Sequence, residues 1–283
     1  MTAIAVRDLG KSYGELEALR GISFEVQEGE VFGLLGPNGA GKTTTVEILE
    51  GYRRRDAGEV EVLGTDPAAA PGDWRERIGV VLQSSAMYET LTVAEMLNVF
   101  AGYYRKPRPV DEVVELVGLQ EKRENRVRLL SGGQRRRLDL GLALVGDPEL
   151  IFLDEPTTGF DPGARRRAWE TIRGLRSLGK TILLTTHYLD EAEQLADRVA
   201  VLRQGEIVAS GAPAELTGSV QQTEIRYREN GREVVLNTDE PTRVLHELTD
   251  KALSEGRELE GLVVRRPSLE DVYLSLTEEA EAR

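Results

Sequence analysis

Eight short stretches in the first two hundred residues carry strand-like apolar patterns. They are IAVRDL from Ile4, ISFEV from Ile22, VFGLL from Val31, VEVLG from Val60, IGVVLQ from Ile78, LIFLD from Leu150, TILLTT from Thr181 and VAVLR from Val199. VFGLL, LIFLD and TILLTT are apolar throughout, the pattern of strands buried on both faces of a parallel sheet. ISFEV alternates, with Ile22, Phe24 and Val26 on one face, which predicts a half-exposed antiparallel layer. From Val93 to Gly146 the period changes to that of helices, as in Val113, Leu116, Val117 and Leu119, or Leu138, Leu142 and Val145. The pattern therefore predicts an α/β core with an antiparallel β subdomain and a helical insertion over about 84–146. Beyond GAPAEL, EIRYR and EVVLN read as strands and the following stretches as helix, so a small appended α/β domain is expected over 217–283 after a main domain over 1–216. No internal repeat or heptad run stands out.

Composition narrows the class. A chain of 283 residues and 31.3 kDa, 40% hydrophobic and 30% charged, is a folded globular protein of one or two domains. Its 36 Lys and Arg against 49 Asp and Glu give a net charge of −13, which argues against a broad nucleic-acid surface. Residues 211–283 are acidic as well, with 9 basic and 16 acidic side chains. The absence of Cys removes disulfide scaffolds, thiolate zinc sites and thiol catalysis together. Two His, His187 and His246, argue against a His-rich metal site, and His246 in VLHELTD reads as a surface position on an amphipathic helix. No signal-like segment and no run of 18 apolar residues occur, so a cytoplasmic location is expected and any membrane role would come through a partner. Three Arg triplets, Arg53 to Arg55, Arg135 to Arg137 and Arg165 to Arg167, read as solvated faces and ion pairs between acidic neighbours.

The strongest chemical signal is GPNGAGKTT, comprising Gly36, Pro37, Asn38, Gly39, Ala40, Gly41, Lys42, Thr43 and Thr44. It follows the buried strand VFGLL and leads into a helix-like stretch. Such a loop turns successive backbone N–H groups around a polyphosphate, while Lys42 neutralises the outer charge and the Thr43 hydroxyl can coordinate Mg²⁺. A second nucleotide element is LIFLDEP: Asp154 at the strand's carboxyl edge can hold Mg²⁺, and Glu155 beside it can polarise an attacking water.

LLSGGQRRR, with Ser131, Gly132, Gly133 and Gln134, lies shortly before LIFLDE. Together with GPNGAGKTT it resembles the ATP-binding cassette (ABC) transporter ATPases, over roughly residues 1–215. The resemblance implies a P-loop NTPase fold, a nucleotide-binding domain over 1–216, and ATP and Mg²⁺ as ligands. It implies adenine stacking on Tyr13, a Mg²⁺- and water-sensing role for Gln83, a subunit contact at Asp161 and a γ-phosphate switch at His187. Phe160 stands where the family usually has Leu, and Gly141 sits in a helix where Ala would be more usual.

The resemblance also implies a head-to-tail homodimer, in which ATP on Gly36 to Thr44 of one chain is capped by Ser131 and Gly133 of the other. The work would pass to a separate ABC-2-type permease on the cytoplasmic face of the plasma membrane, with Met87, Tyr88 and Glu89 lining its docking groove. PSLEDVYLSLT, from Pro267 to Thr277, is similar to the ending of the subfamily of daunorubicin and doxorubicin resistance exporters. That points to export of a drug, antibiotic or lipid-like molecule, and to a tail helix burying Leu269, Val272, Tyr273 and Leu276. The alternatives are an importer ATPase, a soluble cassette protein acting on ribosomes or nucleic acid, and a degenerate cassette that binds ATP without turnover.

Overall fold

The computed structural model describes residues 1–81, 87–219, 223–229, 231–265 and 268–273. The chain divides into two compact units, Met1–Ser210 and Gly211–Arg283.

The first unit opens with β1 (Thr2–Tyr13), β2 (Leu16–Gln27), β3 (Val31–Leu35), α1 (Lys42–Leu49), β4 (Ala57–Val62), α2 (Gly72–Arg75) and β5 (Ile78–Val81). Then come α3 (Val93–Ala101), α4 (Val110–Leu116), two short 3-10 turns and α5 (Gly132–Leu144). It closes with β6 (Leu150–Asp154), α6 (Pro162–Ser177), β7 (Thr181–Thr186), α7 (Leu189–Leu195), β8 (Arg198–Arg203) and β9 (Glu206–Gly211). All eight patterned runs form strands. β1, β2 and β4 make an antiparallel sheet in the order β2-β1-β4, with Ile22, Phe24 and Val26 of β2 buried in alternation. The main sheet runs β5-β6-β7-β3-β8-β9 and is parallel from β5 through β8.

Each continuously apolar strand feeds two cores, because successive side chains point to opposite faces. Phe32, Leu34, Phe152 and Leu183 pack with Ile4, Leu9 and Ile22 of the antiparallel layer. Val31, Ile151, Leu153, Ile182 and Leu184 pack instead with Leu97, Val113, Leu138 and Leu142 of the helical insertion. That double burial is why these runs carry no polar alternation. Gly141 has a packing reason: a Cβ there would stand 3.3 Å from both Leu97 and Val113.

The second unit contains α8 (Pro213–Ser219), β10 (Thr223–Glu229), β11 (Arg232–Thr238), α9 (Pro241–Ser254) and β12 (Glu260–Arg265), with sheet order β11-β10-β12. Two expectations differ here. The division falls before α8 rather than near Thr217, which lies inside that helix, and a continuous hydrogen-bonded helix belongs to one unit. The stretches after EVVLN are not all helical either, since Glu260–Arg265 pairs antiparallel with β10. That strand is exposed along its whole length, so no burial period marks it. EIRYR and EVVLN are strands as expected, with Ile225 and Tyr227 buried. Leu269 and Val272 of the tail are buried, whereas Leu276 lies outside the described residues.

Candidate functional site

Strand register gathers the chemical residues at one edge. Leu35 of β3 pairs with Thr186 of β7, and Asp154 of β6 pairs with Thr185 of the same strand. The loop after β3, the Asp154–Glu155 pair and His187 therefore leave the sheet side by side, and the Gly36 N–H donates to the Thr186 carbonyl at 3.3 Å. Two loop glycines are required by space and conformation. A Cβ on Gly36 would stand 2.3 Å from the Leu202 carbonyl oxygen. Gly41 has φ 110° just before α1, and its Cβ would meet the Ala18 carbonyl oxygen at 2.7 Å.

Lys42, only 4% exposed, donates from Nζ to the carbonyls of Gly36 at 2.8 Å and Pro37 at 3.2 Å. The same Nζ lies 3.5 Å from Glu155 Oε1, and His187 Nδ1 lies 3.3 Å from that oxygen. Burial lowers the Lys42 pKa, against the raising effects of the Glu155 and Asp154 charges. For Glu155, burial alone would raise the pKa, but the His187 hydrogen bond and the Lys42 charge outweigh it and hold the carboxyl below its ordinary value. Thr158 Oγ1 donates to the other Glu155 oxygen at 3.1 Å. Glu155 is thus an ionised carboxylate in contact with two groups that favour negative charge.

The backbone at Glu155 is left-handed, with φ 46°, a conformation that costs a residue bearing Cβ about 1–3 kcal/mol. Its N–H donates to Thr185 Oγ1 at 3.0 Å, and the Thr185 hydroxyl in turn donates to Asp154 Oδ1 at 2.5 Å. Asp154 is 6% exposed, while Thr43 at the start of α1 is exposed. A buried carboxylate with one oxygen engaged, and an exposed hydroxyl on the segment that leaves the same edge of the sheet, are hard-oxygen donors of the kind that suits Mg²⁺, an ion that takes few protein ligands beside phosphates and water.

Ser131, Gly132, Gly133 and Gln134 form the N-terminus of α5. Ser131 Oγ accepts from the Gln134 N–H at 3.3 Å, and Gln134 Oε1 accepts from the Ser131 N–H at 2.9 Å. This is a capping box, and the S-x-x-Q spacing already carries it. The helix end opens on a cleft of about 570 Å³, also lined by Glu155, Gly159, Asp161 and Arg167. Among the described residues, none from Gly36 to Thr44 lines this cleft. Asp161 caps α6 by accepting from the Ala164 N–H at 2.8 Å, a bond that holds its carboxyl below the ordinary value.

Tyr13, 39% exposed at the end of β1, has Lys11 Nζ at 5.5 Å and the Arg53 guanidinium at 5.2 Å from its ring centroid. Gln83 lies outside the described residues. Of the groove residues, Tyr88 is 62% exposed, Met87 packs partly against the helical core, and Glu89 pairs with Arg135 at 3.0 Å.

The reading of the Arg triplets needs correction at Arg136 and at Arg137, whose Nη1 donates to the Gly118 carbonyl at 2.6 Å and whose pKa is lowered by burial. Arg53 pairs with Glu47, Arg55 with Asp66 and Arg165 with Asp190, as ion pairs at the surface. Arg136 is instead largely buried, and it donates to backbone carbonyls beside Glu155. No sequence pattern separates it from its neighbours in the triplet. Thr185 was also unmarked, hidden inside TILLTT as one more strand residue. Glu191 is buried, accepting from Thr157 at 2.8 Å and from Trp169 Nε1 at 3.0 Å, and so ties α7 to the segment after Glu155.

Residues 19–158 match the family model described as ABC transporter. The daunorubicin resistance ATP-binding protein DrrA3 of Streptomyces coeruleorubidus is 40% identical, covering 98% of this chain and 96% of that protein. The Nod factor export ATP-binding protein I of Rhizobium sp. (strain N33) is also 40% identical, covering 97% of each chain. Among solved structures, the ADP conformation of MJ1267, an ATP-binding cassette of an ABC transporter, superposes with a TM-score of 0.68 at 27% identity, over 76% of this chain and 92% of that one. With the phosphate loop, the Asp–Glu pair and the capped S-G-G-Q helix in place, the chain belongs to the ABC transporter family and is an ATP-hydrolysing subunit of it.

Proposed function

We propose that this subunit hydrolyses ATP in a homodimer to drive export of a drug, antibiotic or lipid-like molecule through a separate ABC-2-type permease. The observation that carries the catalytic assignment is the convergence of Lys42 Nζ and His187 Nδ1 on one oxygen of Glu155. Gly36 to Thr44 cradle the phosphates, Lys42 neutralises charge at the γ-phosphate, and Tyr13 stacks on adenine. Glu155 takes a proton from the water whose oxygen attacks the γ-phosphorus as ADP leaves, and His187 orients the phosphoryl oxygens. Thr43 and Asp154 would hold Mg²⁺, joined by Gln83; the ion supplies charge neutralisation on the β- and γ-phosphates.

Ser131, Gly132 and Gly133 open onto a cleft shared with Glu155 and Asp161 and not onto the phosphate loop of their own chain, which supports their use, with Gln134 beside them, on the partner's nucleotide. Closure is then a population shift driven by ATP, and hydrolysis reverses it. Among the described residues no helix is long and apolar enough to cross a membrane, which supports delivery of the motion to a separate permease that we place at the cytoplasmic face of the plasma membrane. The relatives named for daunorubicin resistance and Nod factor export support the outward direction. The net charge of −13 supports the absence of a nucleic-acid partner.

The deciding experiment is size-exclusion chromatography of Glu155→Gln with and without Mg-ATP at low salt. ATP binding with no turnover and a shift to the dimer are expected. Sustained hydrolysis would remove Glu155 as the base, and a monomer at saturating ATP would remove the homodimer.

A further inference from the structure

Arg136 sits on α5, one turn beyond the helix N-terminus at Ser131, and its side chain is 13% exposed. Its Nη2 donates to the Asp154 carbonyl at 3.0 Å and reaches the Glu155 carbonyl at 3.5 Å, while Nε donates to the Pro156 carbonyl at 3.2 Å. Three successive carbonyls at the end of β6 are turned toward one guanidinium. The Asp139 carboxylate, 4.0 Å away on the next turn of α5, faces the same group.

These carbonyls flank the strained point of the site. Glu155, with φ 46°, keeps a left-handed conformation only if its surroundings over-determine it. Thr185 Oγ1 holds the Glu155 N–H side of this turn, and the Arg136 side chain holds the carbonyl side. A guanidinium suits the task because its planar fork can serve several acceptors at once, whereas an ammonium is a compact point charge.

We propose that Arg136 is a positioning residue for hydrolysis: by binding the carbonyls of Asp154, Glu155 and Pro156, it holds the left-handed turn that aims the Glu155 carboxylate at the attacking water. This rests on the reading of Glu155 as the general base. Because Arg136 rides on α5, the helix whose N-terminus faces the partner's nucleotide also fixes the base of its own chain.

The test compares wild type, Arg136→Met, Arg136→Lys and Glu155→Gln by steady-state ATPase kinetics, binding of a fluorescent ATP analogue and thermal unfolding. Losing charge-assisted hydrogen bonds at the turn should lower kcat of Arg136→Met by about tenfold or more, with KM and analogue affinity within about twofold of wild type. Arg136→Lys should lie between the two, and millimolar methylguanidinium should restore part of the kcat of Arg136→Met while leaving wild type unchanged. A kcat within about twofold of wild type for Arg136→Met overturns the proposal, as does a loss shared equally by binding and turnover or an absence of rescue. If Arg136→Met does not fold, the split between kcat and KM in Arg136→Lys decides by the same criteria. Turnover by Glu155→Gln would instead sink the assignment of the base, separately from the result at Arg136.

Discussion

Glu50, at the carboxyl end of α1, shows how the nucleotide site shapes ionisation around it. Burial, with the negative charges of Asp154 and Glu47 adding, pushes its carboxyl up to about 8, and its Oε1 has no hydrogen-bond partner. Between its ordinary value of 4.5 and about 8 the folded chain keeps a proton that the unfolded chain releases. Glu50 therefore weighs nothing against the fold below pH 4.5, and its cost grows as the pH rises to about 8 and then levels off. Glu50→Gln should raise nucleotide-free stability by on the order of 1–3 kcal/mol near pH 9 and change it little near pH 4, as read by urea unfolding at both values. Glu155 has the opposite shift: it stays ionised below the ordinary carboxylate range, so the acid limb of its kcat profile should fall below about pH 4.5. An acid limb near neutrality would contradict that environment.

At the scale of elements, local signals and tertiary contacts divide the work. α3 begins at Thr92, whose side chain accepts from the Glu95 N–H at 3.1 Å while Glu95 Oε2 accepts from the Thr92 N–H at 2.8 Å. Thr92→Ala removes one half of this capping box and should cost about 1 kcal/mol in denaturant unfolding. Leu97, three residues into the helix from Ala94, keeps its packing on the insertion's core, so ATP binding should not change. Strands buried on both faces were legible because VFGLL, LIFLD and TILLTT could serve no other purpose in so charged a chain. The phosphate loop and the Asp154–Glu155 pair were legible because backbone geometry ties their residue types to fixed spacing. β12 was not, since an exposed strand held only by backbone pairing leaves no hydrophobic period. Arg136 was not, since its partners are carbonyls that every sequence possesses.

For the whole molecule, the two compact units make a prediction of their own. Met1–Ser210 contains both cores and every described residue of the ATP site, whereas Gly211–Arg283 has its own sheet and α9. A chain truncated after Gly211 should fold cooperatively and bind ATP with an affinity within about threefold of the full chain, while transport coupling declines. Calorimetry with nucleotide titration checks this, and loss of the cooperative transition would show that the units depend on each other for folding.

The order of the main sheet also sets the history of each newly made molecule. β3, which launches the phosphate loop, pairs with β7 and β8, so Val31 waits for Ile182 and Phe32 for Arg198. On the ribosome, one of the first apolar strands to emerge has both hydrogen-bonding edges open until most of the chain has followed it. Such long-range parallel pairing is slow to form and exposes sticky edges meanwhile. The nucleotide loop, although encoded early, acquires its neighbours last, and a synthesis that stalls before Thr181 leaves a chain carrying the loop without the sheet that shapes it.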